Sequence, residues 1–202
     1  RLSIIDLSTG KQPMYTENNQ IGIVFNGEIY NYRILKQQMV DAGITFNTTS
    51  DTEVILKLYE QKGADAFKEL DGMFAFSIHD KIKNKVFIAR DFFGEKPLYY
   101  TKTKTDFVYG SELKSIINYL PHKPKICKEG LNLYFRLSYI PSPYSIYEDI
   151  LKLPSNHYID FDLATDNFNI HEIEKQKPIV KRDVSFEDAK KEVHDEVFKS
   201  VE

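Results

Sequence analysis

Asn26-Gly27 is the pair in this chain whose residue types could do chemistry most directly. It follows the apolar run Ile21-Gly22-Ile23-Val24-Phe25 and precedes Glu28-Ile29-Tyr30-Asn31-Tyr32, where a helix-like pattern begins. Glycine after asparagine lets the backbone turn sharply. It also leaves a side-chain amide and a backbone N–H free to point the same way. Two fixed donors so aimed can hold an oxygen that becomes negative during acyl transfer. Taken alone, an Asn-Gly pair is a hairpin turn. Asp51, at the head of a second helical pattern, would be favoured there by the helix dipole alone. Arg1, taken alone, is an exposed arginine of no structural weight.

These residues need elements to hold them. Leu2 to Leu7 reads as a short strand and Gln20 to Phe25 as a buried one. Tyr30 to Ala42 reads as a helix with Leu35 and Met39 on its inner face, ended by Gly43. Asp51 to Gln61 is a second helix, with Val54, Ile55 and Leu58 on one face, and Ala64 to Leu70 a short third. The texture then changes to strands. Met73 to His79 pairs with Lys85 to Arg90, and Leu98 to Thr101 with Asp106 to Gly110. Ser111 caps a helix to Tyr119. Tyr139 to Pro143 is extended because of its prolines, and Tyr158 to Asp162 is a strand. The polar stretch Asn169 to Arg182 reads as a linker. Ser185 opens a helix with Ala189, Val193, Val197 and Val201 on one stripe. Helices set between strands and followed by hairpins imply an α+β fold with mainly antiparallel sheet.

The 202 residues are enough for one large domain with a proper core, or for one domain and a fragment. Apolar residues make up 42% and charged residues 28%, ordinary values for a globular protein. A net charge of −3 and a pI near 6.0 give no footprint for nucleic acid. No apolar run spans a bilayer and no leader pattern opens the chain, so a cytoplasmic protein with no membrane partner is expected. The single cysteine, Cys127, fits a reducing compartment. Its five histidines, His79, His122, His157, His171 and His194, lack metal-ligand spacing, and no phosphate-cradling glycine loop is visible. An arginine rather than a methionine at the head, and a tail ending within a helical pattern, read as the ends of a piece.

Four stretches occur in order: Arg1-Leu2-Ser3-Ile4-Ile5-Asp6-Leu7, Asn26 to Asn31, Ser50-Asp51-Thr52-Glu53, and Ala89 to Tyr100 with Ser111-Glu112. Together they resemble the glutaminase domain of glutamine-dependent asparagine synthetases. Those are class II glutamine amidotransferases, within the N-terminal-nucleophile hydrolases. The resemblance runs from Arg1 to about Asp162. It implies a sandwich of two mainly antiparallel sheets flanked by helices. It also implies an N-terminal cysteine that attacks the side-chain amide of L-glutamine, with its own α-amino group as base. Arg1 matches the arginine that holds the substrate α-carboxylate. Ile4 and Ile5 match positions whose backbone lines the pocket. Asn26 and the Gly27 N–H match the oxyanion hole, and Glu28 and Asp51 the acidic residues near the α-ammonium. A zwitterionic amino acid needs such a cation and such an anion, held apart. Glu53, Arg90-Asp91 and Ser111-Glu112 are read as scaffold, the Arg90-Asp91 pair as a buried ion pair fixing the loop to Pro97.

The nucleophile is expected upstream of Arg1. Cys127 has no terminal amine and is no substitute, so these residues are expected not to hydrolyse glutamine by themselves. The implied division is a glutaminase domain over 1–165, a linker over 166–184, and the first helix of a synthetase domain over 185–202. ATP and Mg²⁺ belong to that further domain; no cofactor and no metal is expected in these residues. Family members are often dimers. The intact protein would pass ammonia to an ATP-activated carboxylate, aspartate first. Two alternatives are an amidotransferase acting on a sugar acid or a peptide, and a glutamine-binding module without catalysis.

Overall fold

The computed structural model describes residues 11–175 and 182–201, and alternates as the sequence does between strand pairs and helices. Strands β1 (Met14–Tyr15), β2 (Ile21–Ile29), β3 (Gly72–Asp80), β4 (Lys85–Arg90), β8 (His157–Asp162) and β9 (Asn167–Glu172) form one sheet in the order β1-β2-β3-β4-β8-β9. Strands β5 (Tyr99–Lys102), β6 (Phe107–Gly110) and β7 (Leu151–Lys152) form a second, in the order β6-β5-β7. Every pairing is antiparallel. Helices α1 (Tyr32–Asp41) and α2 (Asp51–Lys62), with a 3-10 helix at Gly63–Glu69, separate β2 from β3. Helices α3 (Leu113–Tyr119) and α4 (Lys128–Leu137) separate β6 from β7, and α5 (Phe186–Val201) ends the chain.

Alternation along the strands sorts the core into two layers. Ile21, Ile23, Phe25 and Ile29 of β2, with Phe74, Phe76 and Ile78 of β3, pack against Leu35 and Met39 of α1 and the apolar residues of α2. From the opposite face, Ala75, Ile88, Ile159 and Phe161 pack against Leu98, Tyr100 and Leu153 of the smaller-sheet region. Helix α2 is more enclosed than its pattern predicts: Leu56 and Tyr59 are buried along with Val54, Ile55 and Leu58. Ser50 caps it by accepting from Thr52 N–H at 3.2 Å.

Four expectations are corrected. Strand β2 does not stop at Phe25 but runs through Asn26-Gly27-Glu28 to Ile29, paired with β3 throughout. The Asn-Gly pair is therefore strand, not turn. Ser111 does not cap α3; the N-cap position is Glu112, which makes no side-chain cap bond. The polar stretch from Asn169 is not all linker, since β9 pairs with β8 from His157↔Glu172 to Asp162↔Asn167. The boundary drawn at 165/166 thus falls inside a hairpin. Helix α4 and strand β1 lie where the sequence pattern suggested neither. None of the residues of α5 is buried, its stripe included, with Ala189 alone of the stripe partly covered. The predicted strand Leu2 to Leu7, with Arg1, Ile4 and Ile5, lies outside the described residues.

Candidate active site

Hydrogen-bond parity along β2 decides which backbone groups are free. Lys81 N–H donates to Gln20 O at 2.9 Å, and Tyr30 N–H to Asp71 O at 2.7 Å. Even-numbered residues of β2 therefore exchange bonds with β3, and odd-numbered ones turn their N–H and C=O to the outer edge. Phe74, opposite Gly27, is engaged elsewhere: its N–H donates to Asp91 Oδ2 at 3.2 Å and its carbonyl accepts from Asp91 N–H at 2.9 Å.

That outer edge is closed piece by piece. Strand β1 covers Gly22 and Ile23. Beyond it, side chains replace a neighbouring strand. Gln12 Oε1 accepts from Phe25 N–H at 2.7 Å, while Gln12 Nε2 donates to Thr52 Oγ1 at 3.3 Å. Asp51 Oδ2 accepts from Ile29 N–H at 3.3 Å. The N–H of Gly27 falls between these two, and no acceptor for it is present among the described residues. The Asn26 carboxamide likewise has no hydrogen-bond partner among the described residues. It lines a cleft of about 210 Å³ on the face towards the smaller sheet, with Ala75, Ser77, Leu98 and Tyr109. Tyr109 Oη lies 3.1 Å from Ser77 Oγ in its wall.

Asn26, Gly27 and Glu28 are thus consecutive half-buried residues at one corner of the large sheet, and the Ile29 bond brings Asp51 to the same corner. Asp51 is 2% exposed at the start of α2. A negative carboxylate there sits with the positive end of the helix dipole. Tyr30, exposed just beyond, has its phenol held above its ordinary pKa by burial and by the charges of Glu95, Glu28, Asp71 and Asp91. The corner is acidic, as a site for an ammonium group would be. Arg1, Ile4 and Ile5 lie outside the described residues. A larger cavity, about 700 Å³, lies between the β5–β6 turn and the loop Leu120 to Lys125; it holds none of the sequence-predicted residues.

The residues read as scaffold are saturated. Glu53 accepts from Asn47 N–H at 2.8 Å, Thr48 N–H at 2.7 Å and Thr48 Oγ1 at 2.6 Å. Asp91, fully buried, accepts at its carboxylate from Phe74, Glu95 and Lys96 N–H. Arg90 donates to the carbonyls of Gly94, Lys96 and Leu153 at 2.6, 2.7 and 2.6 Å. The expected Arg90–Asp91 ion pair is replaced by two separate backbone clamps on the same loop, because each side chain points to the backbone atoms that complement its charge. Cys127 caps α4, its Sγ accepting from Gly130 N–H at 3.3 Å. Sequence reasoning missed Gln12, whose polar side chain in an N-terminal stretch carries no local signal of an edge bond.

A glutamine amidotransferase domain model matches residues 1–173. Asparagine synthetase [glutamine-hydrolyzing] 2 of Bacillus subtilis is 42% identical over 171 residues, spanning 82% of this chain and 22% of its own length. Asparagine synthetase [glutamine-hydrolyzing] 1 of the same organism is 42% identical over 153 residues, spanning 76% of this chain and 24% of its own length. The chain therefore spans about a quarter of these two relatives. Among solved structures, the glutamine phosphoribosylpyrophosphate amidotransferase of B. subtilis superposes with a TM-score of 0.57 at 19% identity, over 82% of this chain and 32% of that one. The two share a fold.

Proposed function

The chain belongs to the glutamine amidotransferase domain family, and from that premise we propose that it is the glutamine-hydrolysing half of an asparagine synthetase-like enzyme. One observation carries the site assignment: two donors, the Gly27 N–H and the Asn26 carboxamide, have no partner among the described residues, while the N–H groups of Phe25 and Ile29 on either side are engaged by side chains. A thiolate attacking the γ-carboxamide carbon of glutamine pushes negative charge onto the amide oxygen. Donors preorganised at that oxygen stabilise the tetrahedral species without reorganising. Its collapse releases ammonia and leaves a thioester, which water hydrolyses to glutamate. Glu28 and Asp51 supply negative charge for the substrate ammonium, and Arg1 the cation for its carboxylate, with Ile4 and Ile5 alongside.

The nucleophile is assigned to a cysteine other than Cys127, whose thiol is spent on capping α4; a polypeptide of these 202 residues alone is expected to be silent. The greater length of the relatives leaves room for a synthetase domain that would use ATP and Mg²⁺ and amidate aspartate, and α5 would open it. Residues 166–184 were assigned to its linker; with β9 in the sheet, the linker starts after Glu172. A homodimer and a cytoplasmic setting complete the proposal; among the described residues no helix is long and apolar enough to cross a membrane.

Asp51→Asn in the glutamine-hydrolysing enzyme tests the assignment. The amide keeps an acceptor for Ile29 N–H and removes the charge. The KM for glutamine should rise about tenfold or more, the worth of a charge-assisted contact, while synthesis from free ammonia is unchanged. Equal loss of both activities would make Asp51 structural.

A further inference from the structure

Two glycines face each other diagonally across the β2–β3 ladder. Gly27 has φ 151° and Gly72 φ 158°, both conformations that L side chains avoid. A Cβ on Gly27 would stand 2.0 Å from Met73 O, and one on Gly72 would stand 2.2 Å from Glu28 O. Glu28 and Met73 are directly opposite one another. Each glycine therefore leaves a notch that the other strand's carbonyl fills, and the two notches interlock around one residue pair. The segment carrying Gly72 is itself held. Asn31 Nδ2 donates to Glu69 O at 2.8 Å, its Oδ1 accepts from Asp71 N–H at 3.1 Å, and Tyr30 N–H reaches Asp71 O.

We infer that Gly72 is a positioning residue for the oxyanion donor: by admitting the Glu28 carbonyl it fixes Glu28 against Met73, and through Glu28 the backbone of its neighbour Gly27 and the direction of the Gly27 N–H. This rests on the role proposed above for Gly27. A methyl group at position 72 must push Glu28 O away by about an ångström to reach an ordinary contact, and the displacement enters β2 one residue from the donor. A shift of that size in a catalytic group costs about a hundredfold in rate.

The test is Gly72→Ala in the glutamine-hydrolysing enzyme, beside Asn26→Ala and Gly63→Ala. Gly63 also has a positive φ, 62°, but caps α2 with only Lys83 Nζ near its absent Cβ. Expected for Gly72→Ala is a kcat for glutamine lowered about a hundredfold with ammonia-dependent synthesis unchanged, and no change in turnover for Gly63→Ala. An unchanged kcat, or a fall shared by ammonia-dependent synthesis, overturns the inference. If Asn26→Ala abolishes turnover while Gly72→Ala spares it, only the positioning role fails; if Asn26→Ala also spares it, the site assignment itself has failed. Should Gly72→Ala not fold, NMR of the wild-type enzyme titrated with glutamate decides. The Gly72 and Gly27 amide resonances should move together, and a shift at Gly27 with Gly72 static overturns the link.

Discussion

The two ends of the β2–β3–β4 strip are built on opposite rules. At the Arg90-Asp91 end each nitrogen of the guanidinium holds a carbonyl and the carboxylate holds three N–H groups. At the Asn26-Gly27 end a carboxamide and a backbone N–H stay unpartnered among the described residues, while Phe25 and Ile29 on either side are satisfied by side chains. Buried polar groups are nearly always paired in native proteins, because an unpaired one costs about 1–3 kcal/mol. Two half-buried donors unpartnered among the described residues, beside so complete a framework, are therefore informative. The proposed function puts chemistry at the incomplete end and rigidity at the complete one, although both are marked in the sequence by polar residues following an apolar strand.

Substitutions at the two ends should then separate by what they damage. Asn26→Ala is expected to give the largest single effect, a loss of glutamine turnover of about a hundredfold or more, with little change in melting temperature since no bond of its carboxamide to the described residues is removed. A melting temperature lowered by several degrees with turnover intact would reverse the assignment of the two ends. Asp91→Ala should do the converse. It strips three backbone donors of their acceptor and should lower stability by roughly 3 kcal/mol in urea unfolding, taking the low end of about 1 kcal/mol per orphaned group. A loss of turnover with an unchanged unfolding midpoint would move Asp91 into the site.

The smallest effect is expected at a third hydrogen-bonded carboxylate, Asp162, the half-buried last residue of β8, which accepts from Ala164 and Thr165 N–H of the β8–β9 turn, each at 2.9 Å. The Thr165 backbone bond, aided by its side chain, the Ala164 bond and Lys85, holds its pKa below the ordinary carboxylate value. A pKa depressed in the folded state stabilises the fold above the unfolded value, and that contribution is lost as pH falls through the folded one. An NMR titration should give a midpoint below about 3.9, and Asp162→Asn should flatten the acid limb of stability slightly. A midpoint at or above that value would remove the turn from the set of hydrogen-bonded sites.

Much of this layout was legible from residue pattern. Helices α1 and α2, the β3–β4 and β5–β6 hairpins and β8 announce themselves because their buried faces keep one period over several residues. Strand β9 did not, since it is an edge strand whose residues are exposed except for Phe168, and its sequence is accordingly polar. Helix α4 hid for the opposite reason: Tyr134, Phe135 and Leu137 stand exposed at its end, and its cap is a cysteine rather than Ser, Thr, Asp or Asn. In the candidate site the residue types and their order could be read, but not the geometry. Asn26-Gly27 looked like a turn because no local signal tells a strand glycine at φ 151° from a turn glycine; only the opposing Met73 carbonyl makes the distinction. The edge closure by Gln12 and Asp51 is tertiary and was invisible.

That closure has a consequence for assembly. An open strand edge offers a ladder of donors and acceptors on which another polypeptide can zip itself. Here β1 occupies the first rungs, and past it Gln12 and Asp51 each take one rung with a side chain that cannot continue a ladder. Among the described residues, what is left between these two rungs is a gap one peptide group wide: the size of a single oxygen of a small molecule, and too little to seed the addition of a strand.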